Sequence, residues 1–211
     1  MPIPKMLLIE LLSDTTVGRG EGTAGAVDVE VEHDDDGLPC INGKTLHGLL
    51  RDSWLSMADC FPESLHAAAL AVFGPAGDLA ETSVLRVGDA VLEQATRDWV
   101  RHAVKRRNHP LHPATILEAF TDIRYQTSEN RATGAPEATT LRQTRVALRG
   151  LKFHAPLAWI READDDMLRC LALSALGVRH IGLARNRGRG HVFLSLDSDP
   201  LLTQRLAKGG L

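Results

Sequence analysis

A single acid, Asp28, follows Gly25-Ala26-Val27 in a stretch rich in glycine and threonine. A carboxylate placed this way can take a proton from a hydroxyl or hold a divalent cation. Its bland alternatives are a cap, a turn former or a solvated charge. Further on, Lys44, His47 and Arg51 recur at three- and four-residue steps, so they share one face of the opening turns of a helix. Backbone N–H groups at a helix start favour phosphate, and cationic side chains strengthen the preference. A third constellation, Gly182 to Gly190 (GLARNRGRG), alternates Arg185, Arg187 and Arg189 with Asn186 and Gly188 just before a strand. Small residues let backbone approach a phosphate there, and guanidinium forks can grip it at two points. Phosphate contact is a better account of this loop than a solvated turn.

Other patterns carry less. Gly37 to Thr45, GLPCINGKT, resembles a phosphate-binding Walker loop, but five residues separate Gly37 from Gly43 where that motif needs four. Asp34-Asp35-Asp36 precedes it instead of an apolar strand, which argues against nucleotide hydrolysis. That trio reads as a solvated turn, with weak cation binding as the alternative. The nine histidines are scattered, without the pairing of a metalloprotease helix. The three cysteines are far apart and form no Cys-x-x-Cys pair, so neither a disulfide framework nor a zinc site is expected.

These groups need elements to position them. Lys5 to Leu12 is short and apolar and reads as a buried strand. Ser13 to Gly25 reads as a long flexible loop. Lys44 to Ala58 is a helix with Leu46, Leu49, Leu50 and Trp54 inward, and Ser64 to Phe73 is a second, ended by Gly74-Pro75. Val84 to Leu92 reads as a strand and Thr96 to Asn108 as a basic helix. The polar stretch Ile123 to Val146 reads as a hairpin or protruding arm. Ala147 to Ile160 reads as a long strand interrupted at Pro156. Asp164 to Leu176 is a helix with Met167, Leu168, Leu171 and Ala175 inward, stopped by Gly177. His191 to Asp197 alternates as a strand, and the last residues look loose. With insertions set aside, the order is strand, helix, strand, strand, helix, strand, the ferredoxin-like pattern of an α+β fold. With no second core and no repeat in the sequence, the expectation is one domain, residues 1–211, carrying an inserted arm.

Charge divides the chain. From Glu10 to Asp36 there are nine acids and one arginine, and from Arg97 to Lys152 eleven Lys/Arg and five acids. Such a molecule can bind RNA locally or stack head to tail on its own copies. The net charge of −3 excludes a general nucleic-acid binder, and 4% aromatic content excludes base stacking on a row of Phe and Tyr. With no apolar run of bilayer length and no secretory lead, no membrane contact is expected and the cytoplasm is the expected compartment.

Taken in order, these residues resemble the RAMP superfamily of CRISPR systems, and in particular the repeated backbone subunit of type III effector complexes. Gly25 to Asp28 is similar to that family's glycine-led loop ending in an acid. Pro39 to Arg51 is similar to its turn into the first helix, with Asn42 in place of the usual proline and His47 in place of the usual lysine. Phe73-Gly74 and Val87 to Ala90 resemble its middle strand signature. Arg131 to Ala135 with Leu141 resembles its thumb, an insertion expected over about residues 121–146. Gly182 to Gly190 resembles its glycine-rich loop. The resemblance implies a ferredoxin-like (RRM-like) β-α-β-β-α-β core with an inserted β-hairpin thumb. It implies as partners a CRISPR RNA, a target RNA, copies of the same chain and other type III effector subunits. It implies that Lys44, His47, Arg51, Arg131, Arg185, Asn186, Arg187, Gly188 and Arg189 contact RNA. In cleaving members the loop acid promotes metal-dependent cutting of the target RNA, so Asp28 becomes the catalytic residue and ligand of a divalent cation, Mg2+ or Mn2+. The alternatives are a non-catalytic scaffold subunit of the same complex and a CRISPR RNA processing endoribonuclease.

Overall fold

A computed structural model of the chain describes residues 2–22, 27–75, 82–108, 110–137 and 139–209. Its centre is an antiparallel sheet built on β1 (Met6–Leu11), which pairs on one side with β6 (Lys152–Trp159) and on the other with β7 (Val192–Leu196). Beyond β6 lies an edge strand in two pieces, β2 (Leu85–Val87) and β3 (Val91–Leu92). Counting that edge as one strand, the spatial order of strands is 4-1-3-2, the ferredoxin-like arrangement.

The alternation of each strand decides which face is covered. Leu7, Ile9 and Leu11 of β1, Phe153, Ala155 and Leu157 of β6 and Val192, Leu194 and Leu196 of β7 are all buried. They face α1 (Gly43–Met57) and α5 (Asp165–Gly177), the two crossover helices. The helices meet the sheet through stripes at three- and four-residue steps, Leu46, Leu50 and Trp54 from α1 and Met167, Leu168, Leu171 and Ala175 from α5. A further helix, α2 (Glu63–Phe73), packs on α5 through Leu65, Ala69 and Val72. Between β3 and β6 the chain inserts α3 (Gln94–Val104), α4 (Pro113–Phe120) and a hairpin of β4 (Thr121–Gln126) and β5 (Arg142–Ala147). This hairpin is the expected arm.

Five features differ from the sequence reading. The strand expected over 84–92 is broken at Gly88-Asp89, and the break lies opposite Pro156. Pro156 does not end β6; it lies within it, paired with Met6. Its missing N–H is on the side of the edge strand, where its carbonyl accepts from Gly88 N–H at 2.9 Å. The ladder loses a donor there and the edge peels away. A Cβ at Gly88 would press on the Pro156 ring, so only glycine fits. The strand expected to begin at Ala147 begins at Lys152, because Gly150, at φ +86, turns the chain between β5 and β6. Gly177 is not a left-handed stop. It is the last residue of α5, and a Cβ there would collide with Ser53 and Met57 of α1. The C-terminal residues are not loose: α6 (Pro200–Ala207), capped by Asp199, buries Leu202 and Leu206 against the core.

Candidate nucleic-acid interface

Asp28 lies in an extended segment that runs parallel to β5. Its N–H donates to the Gln143 carbonyl at 2.8 Å, and its Oδ2 accepts from Gln143 N–H at 2.6 Å. The side chain is exposed, and among the described residues no cation is paired with it. The acid therefore stands near the far end of the β4–β5 ladder, beside the Tyr125–Gln143 pair where the tip loop of the arm begins, oriented by one backbone donor, with its second oxygen open. The glycine-led part of its motif, Gly25-Ala26, lies outside the described residues.

Two ion pairs fix this region, and sequence reasoning singled out neither. Glu30 and Arg145 are nearly enclosed, at 6% and 10% side-chain exposure, with Arg145 Nε 2.7 Å from Glu30 Oε1. The Nε–H itself has no aligned acceptor, so the contact is an ion pair more than a hydrogen bond. Glu30 Oε1 also accepts from Val31 N–H, and the Arg145 carbonyl accepts from the buried Thr16 hydroxyl. Asp14 is a second node. Its Oδ2 accepts from Arg124 of β4 at 2.6 Å, its Oδ1 from Arg149 N–H, and its carbonyl from Gly190 N–H. The carboxylate raises the Arg124 pKa, chiefly through that hydrogen bond. One acid thus holds the arm, the β5–β6 turn and the end of the Gly/Arg loop together.

The Gly/Arg loop is shaped by its glycines. Gly182 and Gly190 both have positive φ, and a Cβ at either would collide with a carbonyl, that of Thr16 or that of Ile181. Between them Arg185–Arg187 makes one 3-10 turn, entered through Ala184 and left through Gly188, both left-handed. Arg185, Asn186, Arg187 and Gly188 are exposed and Arg189 is half-buried. Among the described residues none of the three arginines has an ion-pair partner, so all remain available to phosphate. His180 and His191 stack at the neck of the loop, with ring centroids 5.2 Å apart. They are eleven apart in sequence, and only the antiparallel pairing of their backbones brings them together.

The start of α1 is less open to phosphate than its sequence suggests. Gly43 N–H donates to Asp89 Oδ1 at 2.7 Å and Lys44 N–H to the Asn42 side chain at 2.9 Å. The break in the edge strand delivers Asp89 to that position. The Lys44 side chain is exposed and Arg51 is half-buried. His47 turns inward, edge-on to Phe73 at 5.9 Å, with Nε2 enclosed and without a partner. Burial lowers its pKa, and the neighbouring Arg86 and Arg51 lower it further, while a Val72 backbone contact opposes them. Burial and the two arginines thus disfavour the charged form of this ring. Arg131 is exposed in the turn at the tip of the arm, where the Asn130 side chain accepts from the N–H groups of Ala132 and Thr133.

Backbone hydrogen bonds join the regions side by side: Leu183 to Thr16, Glu32 to Val17 and Cys40 to Glu32. Three steps of about 4.8 Å put the Gly/Arg loop and the approach to α1 about 14 Å apart. The segment carrying Asp28 lies between them.

A model of the RAMP superfamily matches residues 8–192. No curated protein matches the sequence. Among solved structures, a chain of the Type III-B Cmr-beta complex in its apo state superposes with a TM-score of 0.69 at 12% identity, covering 93% of this chain and 98% of that chain. A chain of Type III-B Cmr-beta bound to cognate target RNA gives 0.69 at 11% identity, covering 97% and 99%. At such identities the likeness speaks for the fold.

Proposed function

The chain belongs to the RAMP superfamily, and from that premise we propose that it is a CRISPR RNA-binding backbone subunit of a type III effector complex, cutting complementary target RNA beside Asp28. The likeness to chains of Type III-B Cmr-beta, with and without target RNA, favours that subtype and those partners: a guide RNA, a target RNA, further copies and other effector subunits. The observation that carries the reading is the placement of Asp28. It is an exposed carboxylate where the β4–β5 ladder gives way to the tip loop of the arm, held by Gln143 N–H and left with one open oxygen.

The Gly/Arg loop and Lys44 hold guide phosphates. The β4–β5 arm, with Arg131 at its tip, reaches between guide and target. Asp28 takes the proton of a ribose 2′-hydroxyl with its open oxygen while Gln143 N–H holds the other. The freed 2′-oxygen attacks the adjacent phosphorus and closes a 2′,3′-cyclic phosphate, and the 5′-oxygen of the next nucleotide leaves, taking a proton from water. Among the described residues no group of three or more His, Cys, Asp or Glu could hold a metal ion. In the alternative arrangement the open oxygen of Asp28 would hold a divalent cation, Mg2+ or Mn2+, instead of taking the proton, and the cation would supply charge neutralisation at the phosphate being cut.

The test is assembly of the complex with Asp28→Asn and a labelled complementary RNA. Loss of cutting with binding retained supports the reading. Equal cutting by variant and wild type removes Asp28 from it, and binding without cutting in both makes the chain a scaffold subunit.

A further inference from the structure

Helix α3 carries a surface that the guide-contacting regions do not use. From Gln94 to Asn108 there are five Lys/Arg, at 97, 101, 105, 106 and 107, and one acid, Asp98. The helix is anchored through Val100, which is fully buried, and through the Leu111 N–H bonded to the Ala103 carbonyl. Its outer face carries two adjacent rows, Ala95-Trp99-His102 and Gln94-Asp98-Arg101, with Lys105 and Arg106 following at its C-terminal end, and all eight residues are exposed. Trp99 is 63% exposed. Trp99 to Val104 spans about 8 Å of helix. Asp98, which accepts from Gln94 at 2.8 Å, offsets one of these charges through its 3.5 Å ion pair with Arg101. The helix leaves the β2/β3 edge of the sheet, whereas the Gly/Arg loop leads into β7 at the opposite edge.

We propose that the outer face of α3 is a second contact for single-stranded RNA, with a base stacked on Trp99 and phosphates on Arg101, Lys105 and Arg106. An exposed indole beside cations of which, among the described residues, only Arg101 has an ion-pair partner offers a flat face for a base and charge for the backbone, which is how unpaired strands are held without sequence preference. A folded duplex offers no free base to the indole. The rival occupant is a second copy presenting its acidic loop, but Asp34 Oδ1 is committed to the N–H groups of Asp36 and Leu38 within its own turn. Two carboxylates remain there against the four exposed cations Arg101, Lys105, Arg106 and Arg107, so charge complementarity favours the polyanion. This contact stands independently of Asp28 and of the guide-contacting loop.

The tryptophans provide the test. Trp54 is 4% exposed, and the half-buried Trp159 donates its indole N–H to the Pro4 carbonyl, so emission changes on RNA binding report chiefly on Trp99. The purified chain is titrated with an unpaired single-stranded RNA of mixed sequence, reading tryptophan emission and the anisotropy of labelled RNA. Wild type is expected to quench. Trp99→Phe is expected to lose the quenching, and Trp99→Ala to bind about tenfold more weakly. Replacing Arg101, Lys105 and Arg106 together by Gln is expected to reduce the slope of log affinity against log salt by about 2. Arg185→Gln with Arg187→Gln is expected to keep the quenching, as is Asp28→Asn, so failure of this contact and failure of the cleavage reading are separable. RNA binding that leaves emission unchanged overturns the proposal. So does an absence of RNA binding at low salt, or a concentration-dependent blue shift without RNA accompanied by a doubling of mass, which would seat a second copy on Trp99.

Discussion

Asp28 and Gln143 exchange two hydrogen bonds, and one of them is made by the Asp28 side chain. Gln143 carbonyl accepts from Asp28 N–H, and Gln143 N–H donates to Asp28 Oδ2. The carboxylate thus takes the position of a backbone carbonyl against β5, so its orientation is set by the arm it serves. Asp28→Asn keeps an acceptor for Gln143 N–H and Asp28→Ala does not. Amide hydrogen exchange at Gln143 is expected to be unchanged in the Asn variant and about fivefold faster in the Ala variant, equivalent to the roughly 1 kcal/mol of one such bond. Equal exchange in both would show that the side chain does not hold the arm.

Glu30 and Arg145 tie the same segment to β5 from inside. Removing one partner leaves a charge enclosed without its counter-ion. Glu30→Ala is expected to cost roughly 3–5 kcal/mol in urea unfolding. Glu30→Met combined with Arg145→Met is expected to recover most of that loss, because apolar side chains of similar length fill the space without a desolvated charge. A double variant as unstable as the single one would mean that the pair is needed for shape rather than charge balance.

How far the sequence speaks depends on the range of each interaction. Periodicity located the two crossover helices and the central strands, because burial of Leu46, Leu50, Leu171 and Leu194 writes itself into three-, four- and two-residue spacings. The Gly/Arg loop was legible from composition. Asp14, Glu30 and Asp89 were not, because each is one acid among many and its partners are far off: Arg124 is 110 residues from Asp14, and Gly43 is 46 from Asp89. The start of α1 was read as open to phosphate because nothing local reveals that Asp89 arrives there. Helices α4 and α6 did leave a local sign, His112-Pro113 and Asp199-Pro200, a capping side chain followed by proline in the first turn. Pro156 misled, since proline is expected at an edge, and here the neighbouring strand breaks to accommodate it.

The glycines of the Gly/Arg loop differ in what they tolerate. Gly182, Gly188 and Gly190 all have positive φ. A Cβ at Gly188 meets nothing within 4 Å, whereas at Gly182 and Gly190 it meets a carbonyl. Gly188→Ala is expected to cost only the left-handed penalty, about 1–2 kcal/mol. Gly182→Ala and Gly190→Ala are expected to cost more and to displace the loop from the Thr16 segment. Thermal unfolding orders the three variants, and RNA anisotropy is expected to weaken for the latter two while Gly188→Ala binds as wild type.

His47 gives the fold a pH dependence of definite sign. Its pKa in the folded chain lies below the ordinary histidine value of 6.5, first through burial and then through Arg86 and Arg51. The unfolded chain therefore takes up a proton at this residue before the folded chain does. Stability rises with pH wherever the unfolded state binds more protons. Lowering pH through 6.5 toward the depressed folded value is expected to destabilise the wild type through this residue, and raising it above 6.5 to have no further effect there. His47→Phe keeps a ring against Phe73 and removes the titration. Urea midpoints for both proteins between about pH 8 and about pH 5 are expected to run parallel above the ordinary histidine range and to diverge below it, the wild type falling faster. Parallel curves throughout would place the His47 ring in water, and would return it to Lys44 and Arg51 as a cation for RNA.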